Sequence, residues 1–310
     1  MWVNNLNQVV KYSICVPNLN MENTIEEALR SVLDQIDDEY EVIVVDDGST
    51  DRSVEILRSL ELEYPNLFVH ELPRDPNRIL AETRNMSISF ARGQYLLLHI
   101  DCDDYWYPFI KDFVKVYHEI EKFKGSDFLL SGQQINMGEA KFLKSHGPYG
   151  DADWGEDRDM WYRLAKIGAY VPLDHVVFRK RMKLKQNQIL RKKFIRTVQV
   201  VRDEIRSGSS LLEFLKLFLD HKHPQNWKYR SYKLIIFPIA WLMAKRMEPL
   251  PRTTFNSDWQ NLRDKAWSES GTVLHLFKKN GRIFDVGKLS PRAQIIFTHR
   301  ASEISIEEVL

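Results

Sequence analysis

The sequence predicts an α/β fold, a mostly parallel sheet flanked by helices, and three observations carry that reading. Apolar runs of strand length (residues 12–16, 42–45 and 95–100) alternate through the first half of the chain with stretches of helical spacing, the pattern of βαβ units. Two of the runs end in carboxylate clusters, Asp46-Asp47-Gly48-Ser49-Thr50-Asp51 and Asp101-Cys102-Asp103-Asp104. Strands buried on both faces read as such continuous runs, and open α/β sheets bind ligands beyond the carboxyl ends of their strands, so both clusters belong on one rim.

The elements follow in order. After the first strand, Thr24-x-x-Glu27 has the form of a capping box opening a helix with Ile25, Ala28, Leu29 and Val32 on its apolar face. A strand over 41–45, a helix over 52–60, a short strand at 67–69, a helix over 79–92 and a strand over 94–100 come next. Pro108 opens a helix through Phe109, Val114, Val116 and Tyr117, and Phe128-Leu129-Leu130 reads as another strand. Residues 132–155 contain five glycines and little periodicity, so a long loop is expected. It leads into a short helix with Glu156 and Asp157 at its N-terminal end, where the macrodipole alone would favour acids. Farther on, the sequence predicts amphipathic stretches over 179–202, 211–219 and 227–247, and Asn280-Gly281 between apolar runs signals a β-hairpin.

At 310 residues the chain suits one large domain plus an appendage. Its charge is divided: residues 1–174 hold 17 Lys+Arg against 31 Asp+Glu, and residues 175–310 hold 27 against 12. The two parts are therefore expected to meet different partners. Cys15 and Cys102 are the only cysteines, so the sequence implies no disulfide framework and a reducing compartment. No secretory signal is visible at Met1, and the longest uncharged apolar stretch, 234–244, contains Pro238 and falls short of the ~20 residues a membrane-spanning helix needs. A cytoplasmic protein is expected, associated with the inner face of the membrane if its basic part binds lipid.

Acids converging on one rim repel unless a cation sits among them. Oxygen ligands suit Mg²⁺ or Mn²⁺, and a metal held by a few carboxylates can clamp a diphosphate. Pro17-Asn18-Leu19-Asn20 follows the first strand where a glycine-rich phosphate loop would otherwise stand, which excludes glycine-cradled nucleotide binding there.

Five ordered motifs then carry a resemblance: 14–20 (ICVPNLN), 44–51 (VVDDGSTD), Arg84-Asn85, 93–104 (GQYLLLHIDCDD) and 155–159 (GEDRD). Together they resemble glycosyltransferase family 2, over residues 12–168. The resemblance implies a GT-A fold over residues 1–174 and inverting transfer of a sugar from a UDP- or GDP-linked donor. It implies that Pro17 and Asn20 line the nucleotide edge and that Asp47, with Asp46 beside it, meets base or ribose. Asp101 and Asp103 match the Asp-x-Asp element, Asp103 for direct metal contact and Asp101 for the ribose or a metal-bound water. Asp157 matches the catalytic base, with Glu156 positioning the acceptor or the loop, and Arg84 is a candidate for the diphosphate or the acidic rim. His99, among leucines, reads as a core histidine, whereas His175 falls where some relatives add a histidine to the metal shell. Arg179-Lys180-Arg181 departs from the aromatic-Arg-x-His pattern usual at this point.

Residues 175–310 carry no such resemblance and read as a basic, mainly helical extension. Trp227, Tyr229, Tyr232 and Trp241 among lysines and arginines suit a helix in a lipid headgroup layer, so peripheral membrane contact through 179–247 is expected, and nucleic acid is not. The acceptor would be a glycan or a lipid-linked group, hydroxyl or phosphate, in polysaccharide, glycolipid or glycoprotein glycan synthesis. The rival readings are a non-catalytic nucleotide-sugar-binding subunit and an Asp-x-Asp phosphohydrolase. The latter normally places its nucleophile after the first strand, not at residue 101.

Overall fold

The computed structural model describes residues 10–146, 149–150, 155–182, 187–212, 215, 227–250 and 257–310. A seven-stranded sheet is built from β1 (Tyr12–Asn18), β2 (Tyr40–Asp46), β3 (Leu67–Glu71), β4 (Tyr95–Leu98), β6 (Leu129–Ser131), β7 (Asn136–Glu139) and β8 (Tyr170–Pro172). Its order is β3-β2-β1-β4-β7-β6-β8. Every pairing is parallel except those of β7, which runs antiparallel to both neighbours. A separate ribbon pairs β5 (Asp104–Trp106) with β9 (Arg179–Arg181).

All seven residues of β1 and of β2 are buried, because helices cover both faces of the sheet. Successive side chains point to opposite faces. On one face Ile14, Val42, Val44 and Leu97 meet α1 (Ile25–Leu33) and α4 (Ile110–Lys124). On the other, Cys15, Ile43, Val45 and Leu96 meet α3 (Leu80–Phe90) and α6 (Glu156–Lys166). Helix α2 (Ser53–Glu63) follows β2. The strands end together at β1, β2 and β4, which brings both acid-rich loops to one edge.

Three local expectations are corrected. Residues 132–155 are not a continuous loop: β7 and α5 (Ala140–Ser145) lie within them, because Ile135 and Met137 alternate into the core and β7 completes the sheet between β4 and β6. Thr24 stands at the N-cap of α1, but its hydroxyl donates to the Met21 carbonyl at 3.4 Å and makes no cap bond, so no capping box forms. The β-hairpin at Asn280-Gly281 is absent. Val273 and Phe277 are one helical turn apart and both buried, so they form α10 (Val273–Lys279), and Gly281 stops that helix at φ +65°. The Arg282 N–H donates to the Phe277 carbonyl at 2.9 Å, a helix-ending bond that an αL glycine permits.

The core does not stop at the change of charge after residue 174. Helix α10, α11 (Pro291–Thr298) and α12 (Ile306–Val309) place Phe277, Ile296, Phe297 and Val309 in the same cluster as β1 and α4. Helix α9 (Ser257–Ser268) packs on α6 and β8, with Trp267 Nε1 donating to the Tyr170 hydroxyl at 2.5 Å. A small separate core joins α7 (Asn187–Arg206) to α8 (Trp227–Ala244) through Val198, Val201, Ile236 and Ala240. Of the stretch expected over 211–219, residues 213–214 and 216–219 lie outside the described residues.

Candidate active site

The rim begins where β1 and β2 end. Asp46 is fully buried and both its oxygens are engaged: one accepts the Ser49 N–H at 2.8 Å, the other the Asn18 side-chain amide at 3.1 Å. Asn20, in the left-handed region at φ +53°, knits the two loops, its amide oxygen accepting the Thr50 N–H and its N–H donating to Ser49 Oγ, each at 2.8 Å. Gly48 has φ +68°, and a Cβ there would lie 2.5 Å from the Arg74 backbone, so the 72–79 segment crosses directly over this turn. That crossing delivers Arg78, which forms a nearly buried ion pair with Asp47. Pro17 is buried in β1, and its carbonyl accepts a weak bond from the Cys102 thiol at 3.6 Å, tying β1 to the loop after β4.

In that loop Asp101, Asp103 and Asp104 each offer an oxygen within 4.8 Å of the others. Three guanidiniums surround them. Arg84, 5% exposed at its side chain, donates to Asp101 at 2.7 Å and reaches Glu156 at 3.2 Å. Arg179 pairs with Asp104, and Arg181 contacts all three acids. Burial alone would raise the Asp101 carboxyl, but Arg84, His99 and Arg181 outweigh it and hold it at about 2. Burial raises Asp103, with Asp101 and Asp104 adding to the effect and Arg181 opposing it. The donor set fits a small hard cation: the oxygens converge, and Asp104 Oδ2 is buried with no hydrogen-bond partner.

The two acids at the start of α6 diverge. Glu156 turns inward to Arg84, and burial raises its carboxyl to about 7 despite that guanidinium, with Asp157 pushing the same way. Asp157 stays on the rim, its side chain 19% exposed, with Oδ1 accepting the Arg158 N–H at 2.7 Å and Oδ2 3.4 Å from His99 Nε2.

His99 is not the strand-interior core histidine the leucines around it suggested. Strand β4 ends at Leu98, and His99 takes φ +69°, which turns its ring edge-on to Trp161 and toward Asp157. Burial lowers its pKa, and Nδ1 is buried without a partner. His175 lies elsewhere: it is fully buried between Phe113, Phe178 and Phe297. There Nε2 accepts the Gln133 N–H at 2.9 Å and Nδ1 donates to the Val176 carbonyl at 2.8 Å. Both nitrogens are thus spent, and none remains for a metal.

The structure joins Asp101 and Glu156 through Arg84 and sets Asp157 against His99, with Asp103 beside Asp101 and Asp47 on the adjoining loop. Asp46 and Asn20 hold the loops in shape. Sequence reasoning missed Arg78, Arg179, Arg181 and His99 as members of this rim. The basic run at 179–181 was visible as a departure from pattern, but its approach to the acids depends on the Asp104 to Arg181 register of β5 with β9.

Comparison with known proteins bears on the family and the fold. The model for glycosyl transferase family 2 matches residues 13–128. The glycosyltransferase YkcC of Bacillus subtilis (strain 168) is 30% identical over an alignment of 236 positions that covers 68% of this chain and 67% of that protein. The poly(ribitol-phosphate) beta-glucosyltransferase of Bacillus spizizenii is 38% identical over 113 residues, 33% of this chain and 18% of its own length. The match to the hyaluronan synthase of Pasteurella multocida takes in 11% of that protein, so the chain spans less than a fifth of either of these two relatives. Among solved structures, S. aureus TarS 1-349 superposes with a TM-score of 0.50 at 19% identity, over 89% of this chain and 93% of that one, a likeness of fold. With the sheet, the ordered motifs and a relative matched over two thirds of its length all in accord, this chain belongs to glycosyltransferase family 2 and has its GT-A type of architecture.

Proposed function

We propose that the chain is an inverting glycosyltransferase that moves a sugar from a nucleoside-diphosphate donor to an acceptor hydroxyl, with Asp157 as general base. The observation that carries this reading is the division of labour at the start of α6. Glu156 is locked inward on Arg84, while Asp157 keeps a carboxylate on the rim beside the Asp101-Asp103-Asp104 cluster. A sugar hydroxyl is a weak nucleophile at neutral pH, so Asp157 would take its proton as the oxygen bonds to C1 and the C1–O bond to the diphosphate breaks. One displacement from the opposite face inverts the anomeric carbon, and no covalent sugar–enzyme intermediate is needed. Asp103 and Asp101 would hold Mn²⁺ or Mg²⁺, which when bound neutralises charge on the departing diphosphate. Asp47, steadied by Arg78, would meet the base or ribose, with Pro17 and Asn20 shaping that edge. Arg84, spent on Asp101 and Glu156, positions the acids. Retention of both an Asp-x-Asp element and a rim carboxylate favours catalysis over a nucleotide-sugar-binding subunit.

Replacing Asp157 by Asn should lower kcat about 10²- to 10⁴-fold with little change in donor KM. Unaltered transfer in that variant would remove Asp157 from the role. UDP-GlcNAc, the ligand in a TarS structure with the same TM-score of 0.50, is a first donor to test, followed by UDP- and GDP-linked hexoses. Chelation by EDTA should stop turnover and added Mn²⁺ or Mg²⁺ restore it. Release of inorganic phosphate from simple phosphomonoesters, without transfer of sugar, would instead favour the phosphohydrolase reading.

The basic part supports a second reading, contact with the cytoplasmic face of a membrane and a glycan or lipid-linked acceptor. Among the described residues no helix is long and apolar enough to cross a bilayer. Helix α8 nevertheless exposes Ile235, Ile239, Leu242 and Met243 on one side, with Trp241 capped by Lys245 at 3.8 Å from its ring. An apolar face edged by cations matches an anionic headgroup layer. Ile235→Glu with Leu242→Glu should abolish sedimentation with phosphatidylglycerol vesicles. Equal sedimentation of the wild type with neutral vesicles would count against the electrostatic part.

A further inference from the structure

The guanidinium of Arg181 stands among the three acids of the cluster in which the proposed function seats a divalent cation on Asp101 and Asp103. Its Nη1 is 3.1 Å from Asp103 Oδ2, its Nη2 3.5 Å from Asp101 Oδ2 and its Nε 3.0 Å from Asp104 Oδ1. These are the three residues whose oxygens converge within 4.8 Å. The backbone on either side is fastened: Arg181 is registered against Asp104 in the β5–β9 ribbon, and the Met182 N–H donates to the Asp103 carbonyl at 2.8 Å. The side chain is not. Arg181 is 53% exposed, against 5% for Arg84 and 15% for Arg179, so it alone of the three can leave the cluster without opening a buried void. A divalent cation and a guanidinium a few ångströms apart repel, and both draw on the same oxygens.

We propose that Arg181 is a place-holding cation that couples metal binding to donor binding. In the donor-free protein it neutralises Asp101, Asp103 and Asp104. A divalent ion enters only as the guanidinium swings out, and the diphosphate of the arriving donor is the anion that draws it out and keeps it there. Metal alone therefore competes with Arg181, whereas metal with a nucleoside diphosphate does not. No covalent step is involved. The inference rests on the metal assignment made under the proposed function and extends it to a residue outside the donor set.

The test is calorimetric titration of the full chain with Mn²⁺, with and without a saturating nucleoside diphosphate, corrected for the affinity of Mn²⁺ for the nucleotide itself. Arg181→Gln should bind Mn²⁺ alone about tenfold or more tighter than the wild type and lose most of the metal–nucleotide coupling, a size ordinary for linked sites. Mn²⁺ should also raise its melting temperature more than that of the wild type. Arg181→Lys keeps the charge and should still bind Mn²⁺ alone weakly, and because that side chain is half exposed both variants should fold. If Arg181→Gln binds Mn²⁺ no tighter than the wild type, while Asp103→Asn still abolishes binding, the metal site stands and the place-holding role is wrong. If Mn²⁺ binding to Arg181→Gln survives the added Asp103→Asn change, the ion sits elsewhere and both the site and the role fall.

Discussion

Arg84 is the side chain through which the rim's two halves are joined, one guanidinium holding Asp101 after β4 and Glu156 at the start of α6. Removing it leaves the buried Glu156 without its guanidinium while Asp101 keeps Arg181, so Arg84→Met should cost about 3 kcal/mol, measurable by denaturant melts. His99 is the other residue whose neighbours depend on its backbone. At φ +69° a β-branched side chain is strained, so His99→Val should destabilise the fold by about 1–2 kcal/mol, while His99→Asn should cost less. A loss in His99→Asn equal to that in His99→Val would show that the backbone is not the cause. At this scale the acids were legible in the sequence because each motif is local, a few residues after an apolar run. Their cationic partners were not. Arg78 reaches Asp47 through the path of an aperiodic loop, and Arg181 reaches Asp104, next to the Asp-x-Asp element, across 77 positions of chain.

Elements whose pattern was long and regular were legible as well. Strands β1, β2 and β4 and helices α1, α3 and α4 follow from continuous apolar runs and helical spacing, with ends displaced by a few residues. The ambiguous signals were short. Asn-Gly serves a hairpin or a helix stop equally well, because both need a residue at positive φ, and packing of Val273 and Phe277 decided for the stop. A Cβ at Gly281 would meet nothing within 4 Å, so Gly281→Val isolates the backbone cost. It should lower stability by about 1–2 kcal/mol in thermal or denaturant melts, with Gly281→Asn intermediate. Strand β7 escaped notice because its four residues include one glycine and two polar groups, and only its place between β4 and β6 makes it a strand.

Over the whole molecule, the C-terminal helices close one face of the sheet, and His175 lies at that closure against Phe297 of α11. Burial lowers the His175 imidazole from 6.5 to about 4. The unfolded chain therefore takes up a proton below pH 6.5 that the fold refuses until about pH 4. Its contribution is complete above pH 6.5 and is lost as the pH falls from 6.5 to 4, by roughly 3 kcal/mol in all. Urea melts at pH 7 and pH 4.5 should show that loss in the wild type and a smaller one in His175→Gln, which cannot take a charge. Identical pH dependence in both proteins would rule out His175 as the source.

By itself the sequence determined the α/β class, the rim on which the acids gather and the family, because strand runs, turn residues and catalytic acids are written in short contiguous stretches. Tertiary structure alone decided which acids face solvent and which face arginine. It also decided that His99 turns to Asp157, that Arg181 stands among the Asp-x-Asp oxygens, and that residues 273–309 finish the core. Those outcomes depend on register and on packing between distant segments, and the burial and the guanidinium contacts that together shift the carboxyls of Asp101, Asp103 and Glu156 exist only once the chain has closed around them.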